Sequence, residues 1–157
     1  MSSQNGRDAA GVVDAGLFRR VCGRFATGVT VVTTTTEDGF PHGLTANSFT
    51  SVSLDPPLVL VCIDNRNSVL GQFLAGIPFA VNILGDGDEG LSRRFAGTVE
   101  DRFEGLAWHP GSTGAPILAG TLGHIECVPQ KTVEAGDHVI VIGAVKDLRL
   151  AEGEPLI

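Results

Sequence analysis

The sequence predicts an all-β protein, an antiparallel β-barrel with helical decoration, and three observations carry that expectation. Runs rich in β-branched residues recur along the chain: "VTVVTTTT" (29–36), "PLVLVCI" (57–63), "FAVNIL" (79–84) and "VIVIGAV" (139–145). Only three short segments carry helical spacing, so strands do not alternate with the long helices that a parallel sheet needs. The 157 residues are enough for one domain with a single substantial core.

The elements follow in chain order. Residues 1–13 have no period and are expected to be a flexible arm ahead of one domain, 14–157. Leu17, Phe18, Val21, Cys22 and Phe25 recur at helical spacing, with Asp14 placed to cap the start and Gly28 the end. The run 29–36 is the first strand, Asp38-Gly39 supplies a turn, and "HGLTANSFTSVSLDPP" (42–57) returns as a second strand, making a hairpin. "PLVLVCI" is a third strand, opened by a Pro pair that cannot sit in mid-sheet. Asn67 or Ser68 opens a short helix through Val69, Leu70, Phe73 and Leu74, before the strand 79–84. A further helix spans Leu91 to Phe95, and an irregular Gly/Pro-rich segment runs from Val99 to Pro116. Two long strands, "ILAGTLGHIECVPQ" (117–130) and "DHVIVIGAVKDLRL" (137–150), complete the sheet.

Composition excludes several classes of function. Charged residues make up 18% of the chain, below the usual quarter, which leaves surface for a second copy of the chain to cover. Lys and Arg number 11 against 18 Asp and Glu, a net charge of -7, and no basic run tracks phosphates, so nucleic acid is not an expected partner. The longest apolar runs are too short for a membrane-spanning helix and the start has no signal pattern, so no membrane is expected and the protein is expected to be soluble and cytoplasmic. Cys22, Cys62 and Cys127 make no CxxC and are expected as buried thiols. No GxGxxG, Walker A, GxSxG or HExxH pattern is present and no metal site is expected, so the hard chemistry of an enzyme here belongs to a bound organic cofactor.

The segment 42–57 carries the polar chemistry. At period two, Thr45, Asn47, Ser51 and Ser53 share one face, interrupted by Phe49, and Leu44, Ala46, Val52 and Leu54 share the other with Ser48 and Thr50. One face is expected to line a polar cleft while the other packs the barrel. Neutral donors at this density suit a ligand with carbonyl and ring-nitrogen acceptors, an inventory that a flavin mononucleotide has. Any single hydroxyl is better explained as a strand residue paired across the sheet, but the cluster is not.

The strings "GRFATGVTVVTT", "DGFPHGLTANSFTSVSLDPPLVLVCID", "FAVNIL", "SRRFAG", "DRFEG" and "EAGDHVIVIGAV" resemble, in order and spacing, the signatures of the short-chain flavin reductases. These are the small reductase components of two-component flavin monooxygenases, and the resemblance runs from about Phe18 to the C-terminus. It implies an FMN-binding split barrel with antiparallel Greek-key strands, a homodimer, reduction of FMN or FAD by NADH or NADPH, and delivery of reduced flavin to a partner monooxygenase. Residue by residue it implies flavin contacts from Thr45, Ala46, Asn47 and Ser48, then Ser51, Val52 and Ser53. Cys62, Ile63 and Asp64 would pass beside the ring. Asn67 and Ser68 would set a helix N-terminus near the phosphate, and Arg94 and Phe95 would lie near the ribityl-phosphate or, for FAD, the adenine side. Arg94 reads equally well as a solvated helix charge.

His138, in "GDH", matches the family histidine that faces flavin and nicotinamide, and it is the candidate catalytic residue. His42 remains open between ligand contact and structure, and His109 and His124 are assigned to structure or solvent. The implied chemistry is hydride transfer from nicotinamide to flavin, for which the protein supplies stacking geometry rather than an acid–base pair. Family members usually continue beyond a segment like "EPLI" into an aromatic-containing strand. Either that strand lies outside this sequence or the nicotinamide side is more open here. Two alternatives stand beside this reading: a non-turnover FMN-binding electron carrier or redox sensor on the same barrel, and a monooxygenase or pyridoxamine-phosphate-oxidase-like oxidase on a related barrel.

Overall fold

A computed structural model describes residues 6–157. The elements are α1 (Ala15–Cys22), β1 (Thr30–Thr35), β2 (Pro41–Ala46), β3 (Thr50–Leu54), β4 (Pro57–Asp64), α2 (Leu70–Leu74), β5 (Phe79–Ile83), α3 (Glu89–Ala96), β6 (Trp108–Pro110), β7 (Pro116–Leu118), β8 (Gly123–Ala135) and β9 (His138–Leu150). Seven strands form one antiparallel sheet in the order β2-β1-β5-β8-β9-β4-β3, and β6 pairs with β7 beside it. The two edge strands, β2 and β3, are consecutive in the chain. Four residue steps separate Ala46 from Thr50 and reach at most about 14 Å, so the sheet curls until its edges approach each other at residues 47–49.

Alternation places the core. Val59, Val61 and Ile63 of β4 are buried while Leu58, Leu60 and Cys62 are half-buried, and the first set joins Val32, Phe73, Phe79, Val81 and Val141 inside the curl. β1 is covered on both sides, because Val31 belongs to a second cluster with Leu84, Phe95, Phe103 and Leu118 beneath α3. Its buried threonines are each satisfied: Thr30 Oγ1 donates to Ala46 O (2.7 Å), Thr33 Oγ1 to Pro116 O (2.5 Å) and Thr34 Oγ1 to Pro78 O (3.0 Å). Asn82 ties three strands together, donating to Val31 O and Thr33 Oγ1 and accepting from Leu118 N–H, each at 3.0 Å.

Several boundaries differ from the sequence expectation. Asp14 does cap α1, accepting from Leu17 N–H at 2.6 Å, but the helix stops at Gly23 rather than Gly28. Among the described residues no core covers its apolar face: Phe18 and Val21 are exposed, as is Phe25 just beyond the helix, at 79%. The segment 42–57 is not one strand but the two opposite edges of the sheet, with the crossing at 47–49. Val52 and Leu54 therefore do not pack inside. They are exposed, Leu54 at 95%, because β3 is an edge strand whose register shifts between Ser51 and Ser53. The irregular stretch 99–116 contains β6, and Pro116–Leu118 belongs to β7, since a turn with Gly120 at φ +77° separates it from β8.

Of the cysteines only Cys127 is buried, its thiol pushed up to about 12 by burial and by Glu126. Cys22 is exposed on α1 and Cys62 half-buried, which corrects the expectation for both. Residues 6–13 of the expected arm turn back on themselves through an Arg7–Val13 bridge, with Asp8 Oδ1 accepting from the N–H groups of Ala10 and Val12. Residues 1–5 lie outside the described residues. Among the described residues no helix is long and apolar enough to cross a membrane.

Candidate functional site

Where the sheet edges approach, a cleft of about 360 Å³ opens. Its floor is the end of β2, Leu44–Ala46, continuing into Asn47 and Ser48, and one wall is the end of β4 with Cys62, Asp64 and Asn67. Phe95 and Ala96 at the end of α3, Arg102 and His138 complete it. Strand pairing fixes the far end, since Asp64 of β4 lies directly opposite His138 of β9.

Each wall has a local cause. Gly43 lets α3 lie close on β2, because a β-carbon there would sit 3.0 Å from the Phe95 ring, and Thr45 Oγ1 donates to Ser92 O (2.6 Å) across the same contact. Ser48 closes the seam: its hydroxyl accepts from Cys62 N–H (3.0 Å) and donates to Cys62 O (3.1 Å), joining the crossing to β4. Asn67 Oδ1 accepts from Val69 N–H at 3.0 Å and so shapes the turn before α2. That helix starts at Leu70 with Val69 at its N-cap, one or two residues later than Ser68 or Asn67 would open it. The β8–β9 turn is pinned by Asn65, whose N–H donates to Asp137 O (2.9 Å) and whose amide reaches Gly136 O (3.3 Å).

The charges at the mouth are ordered. Arg66 grips Asp64 through Nε (3.2 Å) and a second guanidinium nitrogen (3.0 Å), with its backbone N–H on the same carboxylate (2.8 Å). These bonds hold the Asp64 carboxyl down to about 2, so it stays ionised and paired. His138 Nδ1 lies 2.7 Å from Asp137 Oδ1, which leaves Nε2 as the nitrogen not engaged by that carboxylate. Arg102 donates to Gly43 O (2.8 Å) and Gly97 O (2.6 Å), clamping the end of α3 to β2. The ion pairs among the described residues are Arg66–Asp64, Arg93–Glu89 and His138–Asp137, so the Arg102 charge faces the cleft region without a carboxylate partner.

The structure brings together Thr45, Ala46, Asn47, Ser48, Cys62, Asp64, Asn67, Phe95 and His138 of the residues singled out by sequence. It does not bring Ser51, Val52 or Ser53, which continue along edge strand β3. Ile63 points into the core, fully buried, and Ser68 is exposed outside the cleft wall. Arg94 is turned away from the cleft: Nε donates to Arg102 O (2.6 Å) and its other end to Glu104 O, so it holds the 102–104 loop. Two expected donors are engaged within the protein, the hydroxyls of Thr45 and Ser48, whereas the Asn47 side chain is exposed and has no hydrogen bond among the described residues. Leu44, Ala96 and Arg102 were not singled out by sequence. The "DRFEG" string marked the segment of Arg102 without revealing which way the guanidinium turns. His109 and His124 lie on β6 and β8, outside the cleft, and His42 sits on β2 beyond Gly43.

The profile of the family described as "Flavin reductase like domain" matches residues 22–157. The flavin reductase (NADH) of Kitasatospora aureofaciens is 49% identical over 139 residues, covering 87% of this chain and 73% of the relative. The solved Streptomyces globisporus C-1027 NADH:FAD oxidoreductase SgcE6, in complex with NAD and FAD fragments, superposes with a TM-score of 0.84 at 41% identity, covering 94% of this chain and 87% of that one. The styrene monooxygenase flavin reductase of Pseudomonas putida S12 superposes with a TM-score of 0.80 at 35% identity, covering 88% and 89%. Across eight of the curated relatives that it matches, the chain spans between 44% and 81% of their length.

Proposed function

The chain belongs to the flavin reductase-like family, and from that premise we propose that it is an NAD(P)H:flavin oxidoreductase that transfers hydride to FMN or FAD and supplies reduced flavin to a partner monooxygenase. The observation that carries the reading is the cleft at the curled seam, lined by neutral hydrogen-bonding groups, by the unengaged Asn47 amide and by a guanidinium without a carboxylate partner. That donor set fits a flavin nucleotide, whose ring edge is uncharged and whose tail is anionic.

Asn47 and the backbone of Thr45–Ser48 take the ring edge, and Asn67 contributes its free amide nitrogen. Cys62, Asp64 and Phe95 supply walls. Ser48 acts by position, holding the floor against β4. When bound, a flavin supplies the two-electron redox chemistry that no side chain here provides. His138 holds the nicotinamide by hydrogen bonding, with Asp137 fixing its Nδ1 side. Asp64 stays a paired carboxylate and hands no proton to the reaction, so the protein contributes orientation and exclusion of water.

The surrounding architecture is read the same way. The approach of β2 and β3 at 47–49 supports a barrel left split at the cleft, within a reductase domain 14–157 preceded by the 1–13 arm. The uncovered apolar face of α1, with Phe18, Val21 and Phe25, supports a homodimer.

The test is consumption of NADH or NADPH under argon with flavin in excess. Sustained oxidation of the nicotinamide, with bleaching of the flavin band, is expected. A single stoichiometric reduction without turnover would make the protein a passive carrier, and no reduction at all would end the proposal.

A further inference from the structure

The chain has a flexible point directly ahead of His138. Gly136-Asp137 is the short loop that joins β8 to β9, with Ala135 and His138 paired across it and Gly136 at φ +64°. A β-carbon on Gly136 would meet nothing within 4 Å, so the backbone conformation, and not crowding, is what calls for glycine there. A glycine peptide in so open a loop reorients at little cost unless its oxygen is held.

Asn65, the first residue after β4, holds two oxygens of this loop. Its side-chain amide donates to Gly136 O (3.3 Å) and its backbone N–H to Asp137 O (2.9 Å). Each peptide unit is planar, so the two bonds orient the planes on either side of Asp137 and, with them, the direction of the Asp137 side chain. That direction decides the imidazole: Asp137 Oδ1 meets His138 Nδ1 at 2.7 Å, and among the described residues no other hydrogen bond engages the ring. The other carboxylate at hand is already taken. Asp64 stands opposite His138 in register, but the Arg66 guanidinium and backbone N–H occupy it. The Asp137 side chain is 91% exposed, and a pair so open to water contributes little by itself. Its grip on His138 therefore depends on a loop that is set beforehand, and the Asn65 amide is the side-chain group that sets it.

We propose that Asn65 is a positioning residue for the oxidation of the nicotinamide, acting through the Gly136-Asp137 loop to aim His138 into the cleft. The inference rests on the reading of the cleft as a flavin reductase site with His138 as its nicotinamide contact, and it deepens that reading. Asn65 itself does not line the cleft, so it acts without touching flavin or nicotinamide.

The test is stopped-flow reduction of the full chain loaded with FAD, by NADH and, separately, by dithionite, a reductant that needs no orientation. Asn65→Ala removes the amide and keeps the backbone N–H. It should slow reduction by NADH about three- to tenfold, the worth of one hydrogen bond, and leave dithionite reduction and flavin affinity unchanged. Asn65→Asp keeps the shape but has no donor for Gly136 O, and should be at least as slow. In the His138→Ala background, Asn65→Ala should cause no further loss, because the two residues act in series. Native NADH rates in Asn65→Ala, a native rate in Asn65→Asp, the same factor lost with and without His138, or a loss of flavin affinity that matches the loss of rate would each overturn the proposal. If His138→Ala alone is reduced at the native rate, the reading of His138 fails and takes the inference with it. If His138→Ala is slow while both Asn65 variants are native, the inference alone fails.

Discussion

Replacing Glu126 by Gln should destabilise the protein in a pH-dependent way. Glu126 is 1% exposed on β8, and its carboxylate cages the loop before β7. Oε1 accepts from Thr113 N–H (2.9 Å) and Thr113 Oγ1 (2.6 Å), and Oε2 accepts from Ser112 N–H (3.3 Å) and Ser112 Oγ (3.2 Å). An amide can keep the Thr113 side, but its NH₂ then confronts the Ser112 N–H, donor against donor. Losing one hydrogen bond to a charged group costs about 1.5–3 kcal/mol. For a chain of this length that lowers Tm by roughly 3–12 °C, readable by calorimetry at pH 7.5. Burial pushes the Glu126 carboxyl up, but the bonds from Thr113 and Ser112 outweigh it and leave the group below its ordinary value. A depressed carboxyl contributes stability that is complete above the unfolded-state value, about 4.3, and that is lost as pH falls through the lower folded value. The gap between native protein and Glu126→Gln should therefore be constant from pH 7.5 to 5.5 and narrow below about 4. A variant that melts with the native protein at pH 7.5, or a gap that persists unchanged into acid, would refute this account of the loop.

Other substitutions separate binding, positioning and packing. Asn47→Ala should weaken FMN and FAD binding by roughly five- to tenfold, the worth of one hydrogen bond, with Tm of the free protein unchanged; fluorescence titration and a melt check both halves. Ser48→Ala removes the partner of Cys62 N–H and C=O and should lower stability by about 1–3 kcal/mol, so a variant with native Tm would show that the seam does not depend on this hydroxyl. His138→Ala should slow flavin reduction by NADH by roughly 10- to 100-fold, the scale of a misplaced reactant, while flavin affinity holds; unchanged stopped-flow traces would remove its role. Gly143→Ala would set a β-carbon 2.7 Å from Phe79 Cζ and 2.8 Å from Cys127 Cβ. Overpacking of that kind costs about 1–3 kcal/mol, and a denaturant midpoint equal to that of the native protein would count against it.

The strands were legible because their causes are local. β-Branched runs at 29–36 and 57–63, a Gly39 turn with φ +80° and the Pro pair ahead of β4 all act within a few residues. The crossing at 47–49 was not legible. Nothing in "TANSFT" distinguishes a strand that continues from one that leaves one sheet edge for the other, because the difference lies in Ser48 finding Cys62, fourteen residues away. The period-two reading failed beyond it for that reason, and Val52 and Leu54 ended outside. Helical spacing in 17–25 was read correctly as far as Cys22. Extending it to Gly28 assumed that an apolar face lies against this chain's own core, and Phe25 shows that it does not.

The site divides along the same line. The polar residues of Thr45–Ser48 were legible as a cluster of neutral donors on a strand, whereas Cys62, Asp64 and His138 came only with the family resemblance, and what joins the last two, Asp64 opposite His138, is a matter of strand register. Arginine is different, since its long side chain lets neighbours in sequence serve opposite ends. Arg94, on α3, was the candidate cation, yet it faces backward onto the carbonyls of Arg102 and Glu104. By doing so it fixes the loop that turns Arg102 onto Gly43 and Gly97, at the lip of the cleft. The positive charge at the site thus belongs to the second arginine and its orientation to the first, so loss of Arg94 should disturb the cleft through Arg102 rather than through any contact of its own.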